Sequence, residues 1–156
     1  MASGPDLGDR APDFTLESTE GPVTLSERLA GSAVLLVFYP GDDTPVCTRQ
    51  LCDYRDNLDV FRSLGVDVLA VNPQPMSSHR GFAEKHGLPF PLCSDPDKKV
   101  CEAYGATGLL GMTKRALYLV DRGGHVRYRK VDLPIFRRTA DALRDVISEL
   151  GLQETP

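Results

Sequence analysis

The sequence predicts an α/β fold: a central mixed sheet flanked by helices, led by an N-terminal hairpin. Three observations carry this. The run 33-AVLLVFY-39 is apolar for seven consecutive residues; strand-like and helix-like segments alternate after it; and a hairpin pattern at 115–130 precedes a last amphipathic segment. A continuous apolar run ending at Pro-Gly suits a strand covered on both faces, and alternating elements suit a sheet layered by helices. A length of 156 residues with 41% hydrophobic content is enough for one core, so residues 1–156 are read as a single domain.

Each element has its own signal. DFTLESTEGPVTL reads as two short strands around a Glu-Gly-Pro turn, and 26-SERLAG-31 as a brief helical turn closed by glycine. After the strand at 33–39, Leu51, Tyr54, Leu58, Phe61 and Leu64 recur at spacings of three and four, one stripe of a helix running from Pro45 to about Leu64, with Gly65 as its stop. Strand 66–72, a helix across 77–87, a short strand at 90–93 and a helix from Asp97 to Tyr104 follow. Residues 115–121 and 125–130 flank Arg-Gly-Gly as a hairpin, and 138–151 closes the chain as an amphipathic helix. There is no internal repeat and no low-complexity linker.

The formal charge of −4 offers no attraction for phosphate backbones or anionic lipid, so nucleic acid and membrane are not expected partners. The basic run 127-RYRK-130 reads as the solvated face of a strand. The opening MASGPDLGDRAPDF has no apolar leader and no segment approaches eighteen apolar residues, which leads to a cytoplasmic expectation. Cys47, Cys52, Cys93 and Cys101, with four, forty and seven residues between them, lack the C-x-x-C spacing of structural zinc sites, so no metal is expected.

Two of those cysteines lie in 38-FYPGDDTPVCTRQLC-52. Thr44 before Pro45 is a helix-start signal: threonine can cap free amides, and proline in the first turn loses no useful hydrogen bond. Cys47 then falls in the first turn, where the helix dipole and free N–H groups favour an anion and lower a thiol's pKa. That makes Cys47 the nucleophile candidate, although the same position suits a small buried hydrophobe. Deprotonation alone raises thiol reactivity roughly thirty-fold, against the about millionfold or more that enzymes reach. The larger share must come from donors aimed at charge developing on a leaving group, for which Thr44, the Cys47 amide and a guanidinium from elsewhere are candidates.

Pro40, Thr44 and Cys47 match the P-x-x-x-T-x-x-C pattern of peroxiredoxins, and FYPGDDTPVCTRQLCDYRDN resembles the Q type, also called bacterioferritin comigratory protein. The resemblance extends through APDFTL, SDPDKKVCEAYG and RALYLVD, most of the chain. It implies a thioredoxin-like fold and reduction of hydrogen peroxide or alkyl hydroperoxides without cofactor or metal. It further implies Cys47 as the attacking thiolate, Thr44 as a hydrogen-bond partner of the peroxide, Pro40 as a shield against water, and Arg115 as the guanidinium. Oxidised Cys47 would be a sulfenic acid. Asp42 and Asp43 are expected to face solvent or brace the turn, since carboxylates aimed at the sulfur would oppose its ionisation. Gln50 is expected on the exposed side of the first two turns, where it either contacts Arg115 or is simply solvated.

Residues five apart on a helix differ by about 140° and their Cα atoms lie roughly 8–9 Å apart, beyond the about 7 Å limit for a disulfide. If Cys52 resolves the sulfenic acid, the helix between the two must unwind. The Q-type resemblance supports that role, with recycling by thioredoxin or a similar dithiol donor, and leans toward a monomer; the alternative is a packed Cys52 and an external thiol. Cys93 and Cys101 read as core residues, with a backup resolving role open, and His79, His86 and His125 as surface histidines. The loop GATGLLGMTK departs from the longer Trp-Gly-Glu-Lys loop of many Q-type proteins. Its Leu109, Leu110 and Met112 either pack ordinarily or form a patch for organic hydroperoxides or a partner. A general disulfide oxidoreductase is weakened by the missing C-x-x-C, a peroxide sensor would use the same thiol chemistry, and a cysteine hydrolase would need a histidine against Cys47.

Overall fold

The computed structural model describes residues 4–132 and 139–151. Strands β1 (Thr15–Leu16) and β2 (Val23–Thr24) form the N-terminal hairpin, and α1 (Leu25–Leu29) follows directly. The main sheet takes β3 (Ala33–Phe38), β4 (Val66–Asn72), β5 (Leu92–Ser94), β6 (Arg115–Val120) and β7 (Val126–Asp132), in the order β5-β4-β3-β6-β7. β3, β4 and β5 run parallel, while β6 is antiparallel to both β3 and β7. The helices are α2 (Pro45–Asp56), α3 (Leu58–Ser63), α4 (Met76–His86), α5 (Lys99–Ala103) and α6 (Ala140–Leu150), with a 3-10 turn at Leu109–Gly111. The mixed α/β architecture expected from the alternation is the one observed.

Every residue of β3 is buried, as its unbroken apolar run requires. Because side chains alternate across a strand, Leu35 and Val37 enter one core with Cys47, Leu51, Tyr54, Phe61, Phe82 and Leu143, whereas Val34, Leu36 and Phe38 enter a second with Phe14, Leu25, Cys101 and Tyr104. α2, α3, α4 and α6 thus share one face of the sheet, and the N-terminal hairpin, α1 and α5 share the other.

The helix expected over Pro45–Leu64 is two helices. Asn57, at φ −114° and ψ 12°, separates α2 from α3, and its side-chain Nδ2 donates to the Asp53 carbonyl at 2.9 Å. An asparagine that bonds the backbone four residues back competes with the helical ladder. The apolar stripe nevertheless continues across the break, with Leu51, Tyr54, Leu58 and Phe61 all buried, which is why periodicity did not reveal it. The last helix was expected from residue 138, which lies outside the described residues; Thr139 caps α6, its Oγ1 accepting from the Ala142 amide at 3.3 Å. Among the described residues, no helix is long and apolar enough to cross a membrane.

Leu35→Ala, at a fully buried site of the central strand, should lower unfolding free energy by about 2–5 kcal/mol with little change in urea m-value, as read by urea denaturation.

Candidate active site

The site forms where β3 ends. Residues 39–44 leave the sheet there and turn into α2, which begins at Pro45 and brings Cys47 into its first turn. The register pairs Phe38 with Ala116 across the antiparallel β3–β6 ladder, so Arg115, one residue earlier on β6, emerges at the same edge. Arg115 shares side-chain parity with Leu117 and Leu119, which line the core that Cys47 enters.

The Arg115 guanidinium is buried, at 2% exposure, with one nitrogen 3.2 Å from Cys47 Sγ and another donating to Gln50 Oε1. Gln50 Nε2 in turn donates to the Tyr54 hydroxyl at 3.0 Å. Gln50 is therefore not on the exposed side of α2 but fully buried. It lies three residues after Cys47 and four before Tyr54, on the apolar stripe, and that spacing is the sequence signal for its orientation. Burial raises the Tyr54 hydroxyl's pKa well above its usual value, against the lowering effect of Gln50. Cys47 itself is 1% exposed. A guanidinium on one side and unpaired first-turn amides on the other attract negative charge to its sulfur.

Thr44 does not cap α2 with its side chain; its Oγ1 donates to the Gly41 carbonyl at 3.0 Å. Pro40 lines an open depression of about 260 Å³ with Pro73, Gln74, Lys98, Met112 and Thr113. Met112 is 55% exposed and Leu110 is also exposed, while the Leu109 side chain lies outside the described residues.

The two acids of the loop part company. Asp43 is exposed at φ 60°, its carboxylate 3.5 Å from Lys85 Nζ. Asp42 is buried and braces the turn. Tyr39 donates its hydroxyl to one carboxylate oxygen at 2.6 Å, while Ser78 Oγ and His79 Nδ1 each lie 2.7 Å from the other. Burial pushes the Asp42 pKa up, but the bonds from His79, Ser78 and Tyr39 outweigh it and hold the carboxyl below its ordinary value. His79 is fully buried, which corrects the surface expectation; it sits on α4 facing the sheet, three residues before the core residue Phe82. His86 is half-buried and His125 exposed.

The family model for AhpC/TSA matches residues 7–129. The chain belongs to that family. A peroxiredoxin designated bcp from Coxiella burnetii is 43% identical over 100 residues, spanning 64% of this chain and 66% of its own length. One from Mycobacterium tuberculosis is 36% identical, spanning 89% of this chain and 93% of its own. A chloroplastic peroxiredoxin Q of Triticum aestivum is 37% identical over 78% of this chain but only 57% of its own length. A crystal structure of the Xanthomonas campestris bacterioferritin comigratory protein superposes with TM-score 0.79 at 27% identity, covering 88% of this chain and 92% of that one. The chain is therefore a peroxiredoxin of thioredoxin-like fold, similar to the Q and bacterioferritin comigratory types as expected, and its activity is thiol-dependent peroxide reduction.

The other thiols of this peroxiredoxin differ sharply in setting. Cys93 and Cys101 are buried, as expected of core residues. Burial pushes the Cys93 thiol up to about 12, and burial with the Asp95 carboxylate raises that of Cys101 further. Cys52 is half-buried on α2.

Site-resolved iodoacetamide labelling of the native reduced enzyme should therefore leave Cys93 and Cys101 at least tenfold slower than Cys52, equalising only in denaturant. The lowered Asp42 pKa means its ionised form stabilises the fold above the ordinary value of 3.8 and loses that contribution as pH falls through the folded value. The urea midpoints of wild type and Asp42→Asn should accordingly converge as pH drops below about 4.

Proposed function

We propose that Cys47 is the peroxidatic residue, that Arg115, Thr44 and Pro40 complete its site, and that Cys52 resolves the oxidised form. The observation that carries this reading is the 3.2 Å approach of the buried Arg115 guanidinium to Cys47 Sγ at the start of α2. The Cys47 thiolate attacks the terminal oxygen of ROOH. An S–O bond forms as O–O breaks, sulfur loses two electrons, and RO⁻ leaves and takes up a proton. Arg115 and the first-turn amides offer donors to the oxygens as that charge develops. Thr44, its own proton directed to Gly41, presents lone pairs that accept the peroxide O–H. Pro40, which lines the open depression beside the loop, keeps water from the leaving oxygen. Met112, which shares the depression with Pro40, suits the apolar tail of an alkyl hydroperoxide, alongside hydrogen peroxide itself.

Resolution then joins Cys52 to the Cys47 sulfenic acid: S–S forms, S–O breaks, and water leaves. The two thiols sit on one intact helix, so α2 must open first. Releasing about five backbone hydrogen bonds costs roughly 3–7 kcal/mol, within reach of a local opening. Asp53, beside Cys52, accepts from the Ala140 amide of α6 at 2.7 Å, and that bond is part of the cost. A thioredoxin-like dithiol would then reduce the disulfide. Such a cycle requires a reducing compartment, which favours the cytoplasm. The likeness to Q-type peroxiredoxins leans toward a monomer, with one domain over residues 1–156.

A cysteine hydrolase is disfavoured because both ring nitrogens of His79 are engaged, by Asp42 and by the Cys93 carbonyl.

Cys47→Ser should reduce peroxide turnover to background, and Arg115→Lys should lower the second-order rate about a hundredfold, because a point charge cannot serve Gln50 and the sulfur together. After one equivalent of peroxide, peptide mass spectrometry should find Cys47 joined to Cys52. Cys52→Ser should accumulate sulfenic acid and slow dithiol-dependent turnover at least tenfold. A dominant Cys47–Cys93 or Cys47–Cys101 bridge would remove Cys52 from the mechanism.

A further inference from the structure

The network of buried Tyr39, Asp42 and His79 with half-buried Ser78 is not used by the chemistry above, yet it holds the loop that carries Pro40 and Thr44. We propose that Asp42 and His79 are positioning residues that hold this loop in its peroxide-binding shape, while Arg115 and Gln50 independently hold the sulfur. The inference rests on the assignment of Thr44 and Pro40 to the peroxide.

Four observations carry it. First, His79 Nδ1 lies 2.7 Å from Asp42 and Nε2 lies 3.1 Å from the Cys93 carbonyl, so both ring nitrogens face acceptors. The ring thereby ties the loop to α4 and β5 together. Second, the Asp42 amide donates to Gln74 Oε1 at 2.5 Å, and Gln74 is itself held by Asn72. The main chain of Asp42 is thus clamped from the β4–α4 connection, and its side chain from α4 and Tyr39.

Third, Asp43 occupies the left-handed region at φ 60° between the clamped Asp42 and the functional Thr44. Aspartate tolerates that region better than most residues but still at a cost, so anchors on either side help to keep it there. Releasing Asp42 lets Asp43 relax, and Thr44 moves with it. Fourth, a buried polar network seldom adds net stability over an apolar replacement, and its better-supported use is to specify one geometry. The Tyr39 hydroxyl, whose pKa is raised by burial and then by Asp42, remains a donor within the same network.

The two halves of the site are separable by reagent. Iodoacetamide needs only an accessible Cys47 sulfur anion; a peroxide needs the loop as well. His79→Gln keeps reach toward the Cys93 carbonyl but loses the donor to Asp42, whereas His79→Asn keeps a donor at the Nδ1 position. The chain has no tryptophan, so Cys47 oxidation is followed by quenched flow with site-resolved mass spectrometry. His79→Gln should lose tenfold or more in the rate with hydrogen peroxide while Cys47 alkylation stays within twofold, and His79→Asn should recover the peroxide rate to within threefold of wild type.

Equal behaviour of the two variants, proportional loss of both reactions, or an unchanged peroxide rate in His79→Gln would overturn the proposal. Asp42→Asn, isosteric and able to keep its bond from Tyr39, is the second variant and is read the same way. Loss of the native circular dichroism spectrum in both would make the pair a stability element only, and overturn it equally. Thr44→Val separates the inference from the reading beneath it. If Thr44→Val shows the selective peroxide loss and His79→Gln does not, the positioning role alone fails; if Thr44→Val shows none, the assignment of the loop to peroxide fails.

Discussion

The register of one strand pair decides where this enzyme keeps its charge. Phe38 faces Ala116 across the β3–β6 ladder, and because the strands are antiparallel, the end of β3 that launches α2 lies beside the start of β6. Arg115 and the first turn of α2 therefore meet at a single edge of the sheet. A one-residue slip would turn Arg115 toward the opposite core, where Tyr118 and Val120 now pack. The apolar alternation of both strands prevents that slip, since each face of each strand is already committed to a core. The electrostatics of the site is thus secured by hydrophobic packing that has no chemistry of its own.

Burying Arg115 is costly without partners that keep its donors satisfied. Gln50 meets one part of that need through a neutral carbonyl and leaves another nitrogen directed at Cys47 Sγ. A carboxylate in place of Gln50 would neutralise the guanidinium and weaken its pull on the sulfur. The neutral amide keeps the positive charge available, and the Tyr54 hydroxyl fixes the amide's orientation by accepting from its nitrogen. The carboxylate that does lie near, Asp42, has three donors of its own. Its charge is absorbed by His79, Ser78 and Tyr39 rather than directed at the thiol, which removes the conflict that two acids so close to a nucleophilic cysteine would otherwise pose.

Local features of the sequence carried much of this. The Thr-Pro helix start put Cys47 in a first turn, and the unbroken run at 33–39 marked the central strand, because both signals act over a few residues. What stayed hidden depended on partners distant in sequence or on competition within one turn. Asp42 and His79 are 37 residues apart, and a histidine among polar neighbours on a helix gives no sign of which element it will meet. Asn57 breaks its helix by a bond from its own side chain, although the stripe of Leu51, Tyr54, Leu58 and Phe61 passes through in phase. Gln50 was misplaced because residue type was weighed above its position on that stripe. Thr44, suited by type to cap, turns instead to Gly41, a choice made by the tight loop rather than by the helix.

Under the proposed resolution by Cys52, helix α2 has two opposed requirements. It must be firm enough for its first turn to hold Cys47 against Arg115, and weak enough to open so that Cys52 can reach the sulfur. Firmness comes from tertiary contacts on one face: Cys47, Gln50, Leu51 and Tyr54 are all buried, and helix stability in proteins derives mainly from such packing. Weakness has a place as well. Asn57 ends the helical ladder one residue after Asp56, so α2 is not propped by a continuous helix through α3. Opening can then spread from either end without first dismantling the core contacts of Leu58 and Phe61. The bond from the Ala140 amide to Asp53 crosses to α6 at the point where the opening must pass. On that proposal the C-terminal helix contributes, through this bond, to how readily Cys52 is released.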